Sequence, residues 1–200
     1  MGPQRIGSIR RETKETQVGV EVNLDGTGRS DIATSIGMLD HLLEQIPRHG
    51  LFDITLTASG DIDRDPHHLV EDIGICLGRA FSEALGERRG IVRMAHAMVP
   101  LDEALALVAL DLGGRGYAAV DMAFGSDRIG QLPTEMIGHL LSAFAIEGRF
   151  NLHVQVSAGT NDHHKAEAAF KALARALGDA VRLDPRIVGE VPSTKEVLDG

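Results

Sequence analysis

The chain has 200 residues, 43% hydrophobic but only 4% aromatic, with no tryptophan and a formal net charge of −9; it is long enough to bury a sizeable core, which Ala, Leu, Ile, Val and Met must fill. The acidic balance, pI about 5.4, argues against nucleic acid as a partner, and the single cysteine, Cys76, excludes an intrachain disulfide and fits a reducing compartment. The opening MGPQRIGSIRRETKET has no apolar signal segment and no apolar run nears the ~20 residues that span a bilayer, so a cytoplasmic protein with no membrane partner is expected.

In chain order, alternating apolar and polar residues predict strands at TQVGVEVNL (16–24) and RSDIATSI (29–36), separated by the turn LDGTGRS. A helix follows, with Met38, Leu39, Leu42, Leu43 and Ile46 on one stripe, then a strand at FDITLTAS (52–59). A second helix begins at His67 and His68, with Asp65 as N-cap and Pro66 at its first position; Ile73, Leu77, Ala80, Phe81 and Ala84 form its buried stripe. The same series then recurs: strands at EALALVALDL and GYAAVDMAF, a helix after Pro133, a strand at FNLHVQVS, and a helix capped by Asn161 with Phe170, Leu173, Leu177 and Val181 inward. Each half thus reads as a mostly antiparallel sheet with two helices on one face, an α+β arrangement. Residues 1–90 and 91–182 form the two half-repeats of one compact unit, joined near Arg88–Met94, and 183–200 form an irregular Pro/Gly-punctuated tail.

The duplication extends to chemistry. A shift of 98 residues lays MLDHLLEQIPRHGLF on MIGHLLSAFAIEGRF, and a shift of 96 lays HHLVE on HHKAE. Six of the nine histidines are therefore matched: His41 with His139, His67 with His163, His68 with His164; Glu71 matches Glu167. His67 and Glu71, four apart, share a helix face and can chelate one ion, while His68 points about 100° away. Imidazole with carboxylate suits first-row divalent metals, and three His with one Glu leaves room for substrate. A single histidine on a helix is ordinarily a surface or core residue, but duplication alone gives no reason to keep six imidazoles while their neighbours diverge. Of the four lysines, Lys171 lies two turns beyond His163, and Arg93, Arg115 and the PSTK segment stand in turns where they could clamp an anion; individually each could equally be solvated charge.

LDHLLEQIPRHG, DPHHLVEDIG, PLDEALALVALDLGGRGY, LHVQVSAGTNDHHKAEAAFKALARAL and VPSTKEVL together resemble the imidazoleglycerol-phosphate dehydratase family of histidine biosynthesis, in its monofunctional form, from about Arg5 to Leu198. Pro66, Gly116 in GRGY, and GHLL depart from the commoner family pattern, but none removes a candidate ligand. The resemblance implies a duplicated fold related to the second domain of ribosomal protein S5, a homo-oligomeric shell of twenty-four subunits built from trimers, and two Mn²⁺ ions per active site at subunit interfaces. It implies His41, His67, His68, Glu71, His139, His163, His164 and Glu167 as metal ligands and Glu15 as the acid/base. Gln45, His49, Arg93, Arg115, Lys171, Ser193 and Lys195 match contacts to a small phosphorylated imidazole substrate.

The implied reaction removes water from imidazole glycerol phosphate to give imidazole acetol phosphate. No carbonyl acidifies the carbon-bound proton, so metals at the ring nitrogens would stabilise an imidazolate. The ring then expels the adjacent hydroxyl through a diazafulvene-like intermediate, and loss of the next carbon's proton gives an enol that becomes the ketone. The alternative from a different class is a metal-storing or metal-sensing shell without turnover; it needs the eight ligands but has no use for Glu15 or the anion cluster. A dinuclear metallohydrolase would call for more bridging carboxylates.

Overall fold

A computed structural model describes residues 4–60 and 62–198; the first three residues of the opening segment and the last two of the tail lie outside the described residues. Among the described residues, fourteen elements follow one another as two series. The first comprises β1 (Ile6–Glu12), β2 (Thr16–Asn23), β3 (Ser30–Ala33), α1 (Gly37–Gly50), β4 (Asp53–Gly60) and α2 (His67–Leu85). The second comprises β5 (Met94–Leu101), β6 (Ala104–Asp111), β7 (Tyr117–Asp121), a short hairpin of β8 (Arg128–Ile129) and β9 (Leu132–Pro133), α3 (Glu135–Glu147), β10 (Asn151–Ala158) and α4 (Asp162–Ala180).

The two four-stranded sheets have equivalent order, β1-β2-β4-β3 and β5-β6-β10-β7. In each, the first three strands are antiparallel neighbours and the last joins in parallel. In β2, Val18, Val20 and Val22 point inward and Gln17 and Glu21 outward, as the two-residue side-chain period requires. The sequence reading left out β1 and β5, both edge strands. β1 hides its alternation because two of its inward positions are Gly7, packed against Ala80 and Ala84 of α2, and Arg11, paired with buried Asp72 at 2.7 Å. β5 carries Pro100, which an edge tolerates because one side of the strand needs no ladder donor.

The helices lie between the sheets and pair across the series: α1 packs on α4, and α2 on α3. The core is therefore shared, with Phe81 edge-on to both Phe52 and Phe144, and Phe144 edge-on to Phe150. Both first helices end in the same way. Leu51 and Arg149, 98 apart, take positive φ (61° and 54°) and turn the chain into Phe52 and Phe150. The preceding Gly50 and Gly148 abut those rings so closely that a Cβ would fall 2.4 and 2.5 Å from ring carbons, which is why both repeats keep glycine there. Asn161 caps α4 by accepting from the N–H groups of His163 and His164, and Asp65 accepts from the N–H of His67 at 2.8 Å; α2 itself starts at His67, one residue later than expected, with Pro66 at its cap position. Among the described residues after Arg182 there is one isolated bridge, Ile91 with Leu183, and otherwise turns and irregular chain. Among the described residues no helix is long and apolar enough to cross a membrane.

Candidate metal and substrate site

Helix pairing across the series assembles the matched residues. Where α1 meets α4, His41, His163 and Glu167 place their ligand atoms within 4.8 Å of one another. The Nε2 atoms of His41 and His163 lie 2.9 and 3.0 Å from the same oxygen of Glu167, and the two rings stack at 5.2 Å. The other oxygen of Glu167 is 2.6 Å from Nζ of Lys171, one turn along α4. Burial opposes the charged form of Glu167, but hydrogen bonds from Lys171, His41 and His163 outweigh it and hold its carboxyl down to about 2. The α1–α4 seam also carries Gln45, whose amide donates to the carbonyl of His41, and His49. Burial, then the charges of Lys171, Arg175 and Arg48, lower the pKa of His49 against the opposing charge of Glu167 and so favour its neutral form.

Where α2 meets α3, the counterparts His67 and His139 bring their rings to 4.8 Å. His139 opens onto a cavity of about 530 Å³ lined by Met122, Phe124, Thr134 and Glu135. Glu71 lies one turn beyond His67 on the exposed side of α2. Among the described residues only the α1–α4 set closes to a three-ligand group.

The second histidine of each pair turns away from its neighbour, with ring planes at 86° for His67 and His68 and 83° for His163 and His164. Nδ1 of His68 lies 2.8 Å from a carboxylate oxygen of Glu15, in the β1–β2 turn. Nδ1 of His164 lies 2.7 Å from Glu103, in the β5–β6 turn, a residue the sequence reading passed over. The signal was present but displaced. Glu103 follows Glu15 by 88 residues, whereas the helical histidines repeat at 98 and 96, because the β8–β9 hairpin lengthens the second series before α3.

The remaining anion candidates gather elsewhere. Arg93, Arg115, Ser193 and Lys195 line a cavity of about 740 Å³ formed with the tail. Arg93 holds Asp111 through two nitrogens at 2.7 and 2.9 Å and donates to the carbonyl of Pro192, which fixes the tail over the cavity. Lys171, His49 and Gln45 are not among the residues lining it. Within one chain the predicted residues therefore fall into separate patches: the α1–α4 seam, the α2–α3 seam, the two His–Glu contacts, and the tail cavity.

The donor chemistry fits a divalent first-row ion. Two imidazole nitrogens facing one carboxylate oxygen are what such ions take, and metal–ligand bonds of about 2.1 Å place donors within about 4.2 Å of each other, which the α1–α4 set already approaches.

A duplicated sandwich of two sheets around four helices, with matched imidazole and carboxylate groups at both helix seams, defines an α+β protein of duplicated half-domains. The family model for imidazoleglycerol-phosphate dehydratase matches residues 34–177. An imidazoleglycerol-phosphate dehydratase of Dehalococcoides mccartyi (strain CBDB1) is 56% identical over 98% of both chains. One of Chloroflexus aggregans is 57% identical over 99% of this chain and 97% of its own. Crystal structures of the Staphylococcus aureus enzyme (TM-score 0.81, 32% identity, covering 90% and 99% of the two chains) and of IGPD from Pyrococcus furiosus in complex with (S)-C348 (TM-score 0.81, 36% identity, 94% and 99%) share the fold. The chain belongs to the imidazoleglycerol-phosphate dehydratase family and is an enzyme of the dehydrating, lyase kind.

Proposed function

We propose that the chain dehydrates imidazole glycerol phosphate to imidazole acetol phosphate in histidine biosynthesis, using two manganese ions held by its duplicated histidines. The observation that carries the metal reading is the convergence of His41 and His163 on one oxygen of Glu167. His67, His139 and Glu71 would supply the matching set at the other seam, and His68 and His164, turned outward, would offer their Nε2 atoms to ions held by other copies of the chain. Manganese, when bound, supplies Lewis acidity toward the nitrogens of the substrate ring.

The chain's own residues do the rest. Arg93, Arg115, Ser193 and Lys195, with Lys171, Gln45 and His49, bind the phosphate and the glycerol chain and fix their orientation. Glu15, exposed in its turn, takes a proton from the chain carbon and returns one as the enol becomes the ketone. The separation of these groups into patches on one chain supports an active site completed between subunits. So does the outer face of the second sheet. It exposes Met94, Met98 and Tyr117 beside half-buried Leu105 and Leu107, where the first sheet presents Gln17, Glu21, Thr55 and Thr57. An apolar face of that kind is what another copy would cover, in keeping with a shell built from trimers.

The test is an assay of metal-stripped and manganese-reconstituted protein with imidazole glycerol phosphate, following the acetol product. Activity lost on stripping and regained with Mn²⁺ is expected. Full activity in protein shown to be metal-free by elemental analysis defeats the metal reading, and metal binding without turnover favours the storage or sensing alternative.

A further inference from the structure

Glu103 is tied into the structure more tightly than its place in a surface turn requires. One carboxylate oxygen accepts from the backbone N–H groups of Thr160 and Asn161 at 3.1 and 2.7 Å, and from the hydroxyl of Thr160 at 3.4 Å. The other lies 2.7 Å from Nδ1 of His164. Residues 159–161 are the loop that enters α4, so Glu103 holds both the approach to the helix and the second imidazole of its HHxxE motif.

We propose that Glu103 is a positioning residue of the metal centre: it fixes His164 in the Nδ1–H tautomer and leaves the Nε2 lone pair for an ion. The proposal rests on the metal reading of His164. The direction of the hydrogen bonds is forced. Backbone N–H groups can only donate, and an ionised carboxylate can only accept. Nδ1 of His164 must then carry the hydrogen, and in a neutral imidazole the other nitrogen is the acceptor. Nε2 stands 3.8 Å from Asp102, the nearest charged partner on that side. A carboxylate behind a ligating imidazole sets its orientation and raises its basicity, and its loss typically costs 10–100-fold in metal affinity.

The duplicated partner sharpens the assignment. Glu15 reaches Nδ1 of His68 from the equivalent turn, although TKET and LDEA share little else. Among the described residues its carboxylate has no second partner, and its side chain is 57% exposed against 38% for Glu103. One copy is thus anchored at both oxygens and suited to hold an imidazole still. The other is anchored at one and free to move a proton.

Glu103→Gln separates positioning from mere capping. The two backbone donors keep the amide oxygen, so the NH₂ group must face His164; Nδ1 becomes the acceptor and the hydrogen moves to Nε2. The turn and the α4 cap retain their bonds, so the fold is kept. The tautomer is read by solid-state ¹⁵N NMR on the intact, metal-free protein labelled at histidine, near pH ~9, where imidazole is neutral, with His164→Asn supplying the assignment. Mn²⁺ affinity is read by competition with a fluorescent chelator. The expected result is Nδ1–H in the parent protein, Nε2–H in the variant, and Mn²⁺ binding weakened ~10–100-fold. An unchanged tautomer, or Mn²⁺ affinity within about two-fold of the parent, overturns the proposal. A parent protein that binds no Mn²⁺ at all defeats the metal reading instead, a failure visible before any variant is made.

Discussion

The two helix seams carry the same histidines and glutamate in different company. Around His41, His163 and Glu167 stand Gln45, His49 and Lys171; at the repeat-equivalent positions around His139, His67 and Glu71 stand Ala143, Glu147 and Ile75. Lys171 bonds Glu167 at 2.6 Å, and Ile75 can offer Glu71 nothing of the kind. Glu147 instead neutralises Arg79 at 2.7 Å, whereas Arg175, equivalent to Arg79, faces His49 and adds to a basic neighbourhood. Groups of the type that ligate metal stand at both seams, while groups suited to an anion stand at one. On the proposed function the two seams differ in labour: both would take a metal, and the α1–α4 seam would also take phosphate.

The largest expected effects test the likeness. Glu167→Gln and Glu71→Gln should each weaken Mn²⁺ binding by at least ~10²-fold, the upper range for a residue merely behind a ligand, and each should remove one of two ions per chain by elemental analysis. An effect confined to Glu167 would show that only the closed set binds metal. The next tests the difference. Lys171→Ala should raise KM for the phosphorylated substrate by about one to two decades, the ~1.5–3 kcal/mol of a charged hydrogen bond, while Ile75→Ala leaves KM within a few-fold. Equal responses in steady-state kinetics would erase the division.

A smaller effect probes what the repeats share without chemistry. Gly50→Ala and Gly148→Ala both drive a methyl into a phenylalanine ring, and each should cost about 1–3 kcal/mol of stability in urea titrations. Unequal losses would show that one repeat's core yields where the other's does not. The smallest effect concerns acid. In metal-free protein the Glu167 carboxyl sits at about 2, below its ordinary 4.5. Its stabilisation is therefore present above about 4.5 and lost as pH falls toward 2. The urea midpoint of the parent should fall across that window more than that of Glu167→Gln, and parallel curves would mean the α1–α4 hydrogen bonds contribute nothing to folding.

What could be read from sequence followed the strength of each repeat signal. The six matched histidines and two matched glutamates, the helices and the inner strands declared themselves because apolar period and histidine spacing coincide. β1 did not, because Gly7 and Arg11 occupy inward positions where an alternating strand should show apolar residues, and β5 begins the second series without a ligand to mark it. Glu103 was hidden by arithmetic: ten residues inserted before α3 shift its repeat distance from 98 to 88, so no single slide of the chain aligns it with Glu15 while aligning His139 with His41. The grouping of His41 with His163, 122 residues apart by number and on different halves, was beyond any reading of period, because it depends on which helix crosses to meet which.

That crossing has an ancestral logic. Because α1 seats on α4 and α2 on α3, neither half holds a complete cluster of its own: each takes the single histidine from one half and the HHxxE segment from the other. This is the geometry of a symmetric dimer whose subunits have been joined end to end. A half-length gene product pairing about the same axis would have carried two identical clusters, and any mutation would have struck both at once. Within one chain the two clusters can vary separately: Lys171 stands beside Glu167, and Ile75 holds the equivalent place beside Glu71.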